Sequence, residues 1–419
     1  VLGVDIKLSK NDGTSTFGEI ISISESPITK KEVWIGTDDG NVQLTRDDGR
    51  TWAEVSQNIL GLPENAYVSR VLASRQGRGH AYVTFDRHRE GDWSPYVYKT
   101  EDFGKNWKSL SADLPSGSIN VIVEHPDNHD LLFIGTEHAV FVSLNSGIDW
   151  QKVTSNLPTT LYDDMIIHPR EKDLILGTHG RSFWVLDDLA PLAEWNESKD
   201  KDVHLFSTRD ATLFYYWKST SYRSQEEWVG PNPEYGAMIN YVVNTDADSV
   251  TITIKQRNQI VRQYKEKSDK GKLKRLVWDL KYDTPTFSAD AGDKEGLIKP
   301  KPEEILPKPP HPLRIQGVDV SPGSFDILVS TDDSKSSGKV LVKADPLVDI
   351  SSGQYRLRES FLLKVHKLYE DSFALNKRLK ELIERSKDEV EKDDEEFVIL
   401  KAKQKTANSV QRGTIRLAG

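Results

Sequence analysis

The chain has no cysteine among its 419 residues. Disulfide staples, thiolate metal sites and cysteine nucleophiles are therefore excluded, and the composition is compatible with an oxidising compartment. No apolar run approaches the roughly 18 residues that a membrane-spanning helix needs, so no transmembrane segment is expected. No basic stripe exists to hold phosphates, and the net charge of −9 argues against nucleic acid as a partner. Metal-ligand spacing is missing as well. His125 and His129 stand four apart but fall in the loop-like stretch PDNHD, not on a helix face. Neither a metal nor a cofactor is expected. The chain opens VLGVDIKLSK, without an initiator Met or the charged and apolar regions of a signal peptide, as a piece of a longer protein would.

What the sequence does have is a repeat. EVWIGTDDGNVQLTRDDGRTWAEV from Glu32 is echoed by DLLFIGTEHAVFVSLNSGIDWQKV from Asp130. A looser copy runs from His80, and a fourth, DLILGTHGRSFWVLDDL, from Asp173. A short apolar run precedes each one (EIISISESP, SRVLAS, NVIVEHP, DMIIHP), and the first three exits rhyme as SQNILGLP, SADLP and SNLP. Gly, Asp and Asn separate the runs where tight turns need them. Each unit thus reads as four short strands, and Asp47, Asp102 and Asn145 mark a period of roughly 40–55 residues, that of a β-propeller blade. The fourth unit stops after its third strand.

Between third and fourth strands lie TRDDGRTW, TEDFGKNW and SLNSGIDW, the Asp-box pattern Ser/Thr-x-Asp-x-Gly-x-x-Trp. Asp47, Asp102 or Asn145 accepts backbone N–H groups within the turn. Gly49, Gly104 or Gly147 takes a positive φ, and Trp52, Trp107 or Trp150 closes the corner. Because Asn145 replaces the carboxylate in one copy, these residues read as turn locks and not as a catalytic pair or metal loop.

Successive turns of a meander alternate between its two ends. The Asp boxes share an end with the first-to-second turns, so the second-to-third loops occupy the other. Those loops vary: Asp38–Gly40, Phe85–Tyr96, Glu137–Ala139 and His179–Ser182. Variable loops on a fixed scaffold are where binding concentrates, and the candidate face is Asp38, Asp39, Arg87, Trp93, Tyr96, Glu137, His138, His179 and Arg181. Asp86, Glu90 and Asp92 are the catalytic candidates, since glycoside hydrolysis needs two carboxylates about 5–10 Å apart.

The expected fold class is mainly β, with residues 1–190 as the last blades of a larger propeller. A connector follows at 191–233, where Leu213–Trp217 (LFYYW) reads as core packing. Period-2 runs over 234–346 indicate an Ig- or fibronectin-like sandwich, interrupted by an extended Pro-rich insertion at 299–312. Helical spacing of Phe361, Val365, Leu368, Leu375, Leu379 and Leu382 points to a helical hairpin over 355–412.

Taken together, WIGTDDGNVQLTRDDGRTW, SPYVYKTEDFGKNW, LLFIGTEHAVFVS, LGTHGRSFWVLDDLAPL, YGAMINYVV, VWDLKYDTP and PGSFDILV resemble the C-terminal half of bacterial sortilin-like proteins, also described as glycosyl-hydrolase-type BNR-repeat proteins. The resemblance implies a large extracytoplasmic protein, periplasmic, outer-membrane-associated or secreted, that binds proteins or peptides through a many-bladed propeller. The expected partners are upstream blades, from the same precursor or a separate chain, and a protein or peptide ligand, with glycan a further candidate. The alternative is a polysaccharide-active glycoside hydrolase whose site lies on the propeller face and partly in the upstream blades. The degenerate third box and the Pro-rich insertion depart from the family pattern.

Overall fold

In a computed structural model of the chain, the repeats become antiparallel sheets, three of four strands and one of three, whose two faces are both apolar. The structure describes residues 18–111, 113–215, 232–283, 317–386, 398–399 and 402–409. The chain divides into two compact units, Val1–Asp200 and Lys201–Gly419.

In the first unit, blade 1 is β1 (Ile20–Glu25), β2 (Val33–Thr37), β3 (Val42–Thr45) and β4 (Ala53–Glu54). Blade 2 is β5 (Tyr67–Ala73), β6 (Ala81–Asp86), β7 (Tyr96–Thr100) and β8 (Lys108–Ser109). Blade 3 is β9 (Ile119–Glu124), β10 (Leu132–Thr136), β11 (Val140–Ser143) and β12 (Gln151–Lys152). Blade 4 has only β13 (Tyr162–Ile167), β14 (Leu174–Thr178) and β15 (Phe183–Leu186), and each sheet keeps chain order as a meander. Period-2 alternation gives every blade two apolar faces, and the cores form between blades. Trp34, Val42 and Leu44 pack on Val71, Val83 and Phe85. Tyr82 and Val97 pack on Ile122, Ile134 and Phe141. Phe133, Val140 and Val142 pack on Met165 and Leu176. The first strands of neighbouring blades lie side by side, and serine hydroxyls help to join them: Ser22 Oγ accepts from Val71 N at 3.0 Å and Ser24 Oγ from Ala73 N at 3.0 Å. Such face-to-face stacking of radial sheets is propeller architecture. The outward faces of the end blades stay uncovered, with Ile23 on blade 1 and Ile166, Phe183 and Val185 on blade 4 exposed.

The Asp boxes are turn locks, as their spelling implies, with two additions. The residue before each glycine is also left-handed (Asp48 φ 67°, Phe103 φ 65°, Ser146 φ 60°), so each box carries two consecutive positive φ angles. The lock also reaches out of its own blade. Trp107 Nε1 donates to Val55 O at 3.1 Å and Trp150 Nε1 to Leu110 O at 2.8 Å, in each case the end of the preceding blade. A Cβ on Gly104 would lie 2.7 Å from Val55, and one on Gly147 2.9 Å from Leu110. Only glycine allows that approach. The box tryptophan is a latch between blades, where the sequence indicated only a corner within one.

Inside the boxes, Oδ1 of Asp47, Asp102 and Asn145 accepts from the N–H four residues on, at 2.9, 2.9 and 3.0 Å. The second side-chain atom follows a swap of polarity. Asp47 Oδ2 accepts from Thr51 Oγ1 (2.7 Å) and Asp102 Oδ2 from Asn106 Nδ2 (2.7 Å), whereas Asn145 Nδ2 donates to Asp149 Oδ2 (2.8 Å). Donor and acceptor exchange places together. These bonds hold the Asp47 carboxyl down at about 2, the Thr51 hydroxyl contributing most.

The stretch taken from the sequence as a connector contains regular structure. Short helices α1 (Ala190–Ala193) and α2 (Trp195–Ser198) close the first unit. β16 (Val203–Leu205) and β17 (Ala211–Leu213) are strands of the second unit's sheets. The remaining strands there are β18 (Ala237–Val243), β19 (Ser249–Gln256), β20 (Gln259–Lys267), β21 (Lys274–Trp278), β22 (Gly323–Ser330) and β23 (Lys335–Ala344). They form sheets ordered β16-β18-β21 and β17-β23-β22-β19-β20. One core of Ile239, Tyr241, Trp278, Ile252, Phe325, Ile327 and Val340 serves both sheets, with Trp278 edge-on to Phe325 at 5.0 Å. β17 pairs with β23 in parallel. Of the LFYYW cluster, Leu213 and Tyr215 join this core while Phe214 is exposed; Tyr216 and Trp217 lie outside the described residues, as does the Pro-rich insertion. Helix α3 (Ser352–Ser386) starts earlier than the apolar spacing suggested, because Tyr355 is buried in the sheet core. Glu359 then fastens it, accepting from Tyr282 Oη (2.9 Å) and Ser321 Oγ (2.7 Å). The acidic stretch Lys387–Phe397 lies outside the described residues. Residues 402–409 are helical, and Asn408 Oδ1 accepts from Asn376 Nδ2 at 2.7 Å. No helix among the described residues is long and apolar enough to cross a membrane.

Candidate functional site

WIGTD, YVTFD, FIGTE and ILGTH align blade on blade. Asp38, Asp86, Glu137 and His179 therefore occupy one equivalent position, where the second strand gives way to the loop. Their environments differ. Asp38 is buried, and its Oδ1 accepts from Gly18 N (2.8 Å) and Glu19 N (2.9 Å), fixing the entry to β1. Asp39 accepts from the Thr37 hydroxyl. Both are committed to local turns. Asp86 is buried too, and its carboxylate oxygens lie 2.7 and 2.8 Å from His88 Nδ1. Glu137 reaches the same imidazole from blade 3, with Oε1 at 3.8 Å from Nδ1.

The inserted loop of blade 2 is internally braced. A short 3-10 turn, His88–Glu90, ends in Gly91 with φ 73°. Arg87 places Nε 3.2 Å from Asp92 and donates through Nη1 to Glu64 O at 3.0 Å. Asp92 accepts from Ser94 N (3.0 Å) and Tyr96 Oη (2.8 Å). Burial pushes the Asp92 carboxyl up, but those hydrogen bonds and Arg87 outweigh it and hold it below the usual carboxylate range. Tyr96 moves the other way, raised by burial and by Asp92. Trp93 O accepts from Gly117 N at 2.7 Å and from Ser116 Oγ at 3.1 Å, and its exposed indole stands 6.0 Å from the His88 ring. Burial raises the Tyr67 phenol, helped by Asp86 and Asp38 and opposed by Arg89.

The other candidates stand apart from this cluster. Glu90 and His138 are exposed; His138 uses its backbone N–H on Thr136 Oγ1 at 3.2 Å. His179 is exposed with Asp163 at 3.3 Å. Arg181 shapes its turn through the backbone, its N–H on Thr178 Oγ1 (3.2 Å) and its carbonyl accepting from Trp184 Nε1 (3.0 Å). His125 Nδ1 accepts from Asp127 N and Asn128 N, and burial pushes its pKa down. The structure thus gathers Asp86, Trp93 and Glu137 around His88, which the sequence did not single out, while Arg87, Asp92 and Tyr96 brace the loop beside it. The one available signal was the place of His88 in FDRHRE, two residues beyond Asp86.

The Sortilin-Vps10 family model (sortilin, neurotensin receptor 3) matches residues 95–281. An oligoxyloglucan-reducing end-specific xyloglucanase of Emericella nidulans is 28% identical to this chain over 112 residues, which cover 25% of the chain and 12% of the xyloglucanase. Among solved structures, YCF48 bound to D1 peptide is similar with 16% identity and a TM-score of 0.29, over 54% of this chain and 62% of that one. An ancestral GH74 enzyme is similar with 12% identity and a TM-score of 0.34, over 64% and 34%. The chain therefore spans less than two thirds of each of these proteins.

Proposed function

We propose that the chain is an extracytoplasmic interaction module that binds a protein or peptide on its second-to-third-loop face, within a larger propeller assembly. The observation that carries this reading is the inserted loop of blade 2. It presents an exposed indole, Trp93, on a backbone fixed by Gly117, Ser116, Asp92 and Arg87. A preorganised aromatic with charged neighbours is the usual form of a protein-binding hot spot, because little freedom is lost on docking. The uncovered apolar faces of blades 1 and 4 support partner blades, whether from one precursor or a second chain. The resemblance to sortilins supports a setting outside the cytoplasm.

The match to the xyloglucanase favours glycan hydrolysis as the second reading. The carboxylates suit it poorly. A general acid needs a raised pKa, yet Asp92 is lowered and saturated with hydrogen bonds, and Asp86 is buried against His88. Peptide-library panning and a glycan array, run on the full chain and on Trp93→Ala, separate the two. Selected peptides whose binding drops at least about tenfold in Trp93→Ala, without glycan turnover, support the module. Turnover of xyloglucan oligosaccharides that disappears in Asp86→Asn or Asp92→Asn overturns it.

A further inference from the structure

We propose that Asp86, His88 and Glu137 form a site for a divalent transition-metal cation of the zinc class, clamping the inserted loop of blade 2 to the short loop of blade 3. One ligand atom from each residue lies within 4.8 Å of the others. His88 Nδ1 is 2.7 Å from Asp86 and 3.8 Å from Glu137. Ligands bound at about 2.0–2.2 Å around one zinc ion stand roughly 3–3.6 Å apart, so side-chain rotation alone takes this cluster to a coordinating geometry.

The polar balance of the three side chains among themselves is incomplete. A neutral imidazole can offer one proton at Nδ1, and Asp86 has both close contacts with it. Glu137 Oε1, directed at the same nitrogen, is buried without a hydrogen-bond partner. A buried carboxylate oxygen without a donor is costly. A cation bound by Nδ1 and both carboxylates satisfies all three groups at once.

The donor set selects the ion. One imidazole and two carboxylates suit zinc or manganese, whereas magnesium and calcium prefer oxygen alone. The ligands are well placed to be firm. Asp86 ends a strand and accepts from its own loop at His88 N (3.0 Å), and Glu137 follows directly on β10. Arg87, between Asp86 and His88 in sequence, is turned away to Asp92 and Glu64 O. Side-chain exposure falls to 2% at Asp86 and 15% at Glu137, while His88 keeps 30%. The solvent side of His88, near Trp93, leaves a coordination position for water or for a donor atom of whatever the face binds. This site stands or falls separately from peptide binding.

Calorimetry on the full chain after chelation, with zinc, manganese and magnesium each added alone, tests the inference. Zinc is expected to fill one saturable site, manganese to bind more weakly and magnesium weakest. His88→Ala and Glu137→Gln should each weaken zinc by at least about tenfold, by loss of one of three ligands, while His129→Ala, in an exposed turn elsewhere, leaves it unchanged. Zinc should also raise the melting temperature of the parent chain and not of the two ligand variants. If His88→Ala does not fold, Glu137→Gln decides the matter, since Glu137 Oε1 has no hydrogen bond to lose. The absence of a saturable site, tighter binding of magnesium, or zinc affinity indifferent to Glu137→Gln overturns the proposal.

Discussion

Val140 and Phe183 hold the same place in successive blades, each paired with the glycine of its blade's second strand. Val140 is 1% exposed and Phe183 75%. The opposite flank behaves alike. Val71 and Ile23 are equivalent on first strands, pairing with Val83 and Ile35, and are 3% and 69% exposed. The box tryptophans repeat the contrast, with Trp150 at 7% and Trp52, which has no described predecessor to latch onto, at 41%. One spelling therefore makes a core when a neighbour is present and an apolar flank when it is not. A blade has no core of its own. Its stability is held in nearest-neighbour interfaces, as in other repeat architectures, and apolar flanks of this kind mark association surfaces.

The widest separation between inner and outer faces should come from two phenylalanines. Phe133→Ala, in the fully buried interface of blades 3 and 4, should cost about 3–5 kcal/mol in chemical denaturation. Phe183→Ala should stay within about 0.5 kcal/mol of the parent. A large loss for Phe183 would show its flank to be covered in solution. Next come the box glycines. Gly104→Ala strains a φ of 74° and drives a Cβ to 2.7 Å from Val55, whereas Gly49, with φ 83°, has nothing nearer than Trp52 at 3.9 Å. The first should lose about 2–4 kcal/mol and the second about 1, and equal losses would remove the interface from the explanation.

Smaller effects test the polarity swap. Asn145→Asp sets a second carboxylate against Asp149 and should cost about 1 kcal/mol, restored by adding Asp149→Asn. Asp47→Asn should lose less, because the Thr51 hydroxyl can reverse its role. The smallest effect is visible only in acid. Asp47 titrates at about 2 against an ordinary 3.8, so the folded state prefers its ionised form. That contribution is whole above about pH 4 and fades as pH falls toward 2. A carboxyl-carbon NMR titration of Asp47 with its midpoint near 4 would contradict the turn geometry.

The blades were legible because their determinants are local: period-2 runs, turn residues at fixed offsets, and repetition that brings each strand type back in register. The boxes were legible as turns for the same reason. Their tryptophans were misjudged in reach, since Val55 O lies 52 residues from Trp107 and nothing in the box itself specifies an acceptor outside the blade. The second unit was harder for a similar reason. β17 joins β23 across more than a hundred residues and in parallel, so Ala211–Leu213 carries no hairpin signal. At the candidate site, the variable loops single out one end of each blade, and Asp86, His88 and Glu137 come together there. The meeting of His88 with Glu137 depends on how two blades stack, and neither loop's sequence encodes that alone.

The latches from Trp107 and Trp150 to the blade before also set an order in time. Chains leave the ribosome N-terminus first, and their parts fold as they emerge. Val55 O is made before Trp107, and Leu110 O before Trp150. Blades 2 and 3 thus each reach back to an acceptor synthesised before them, and neither latch can close until the later blade has emerged.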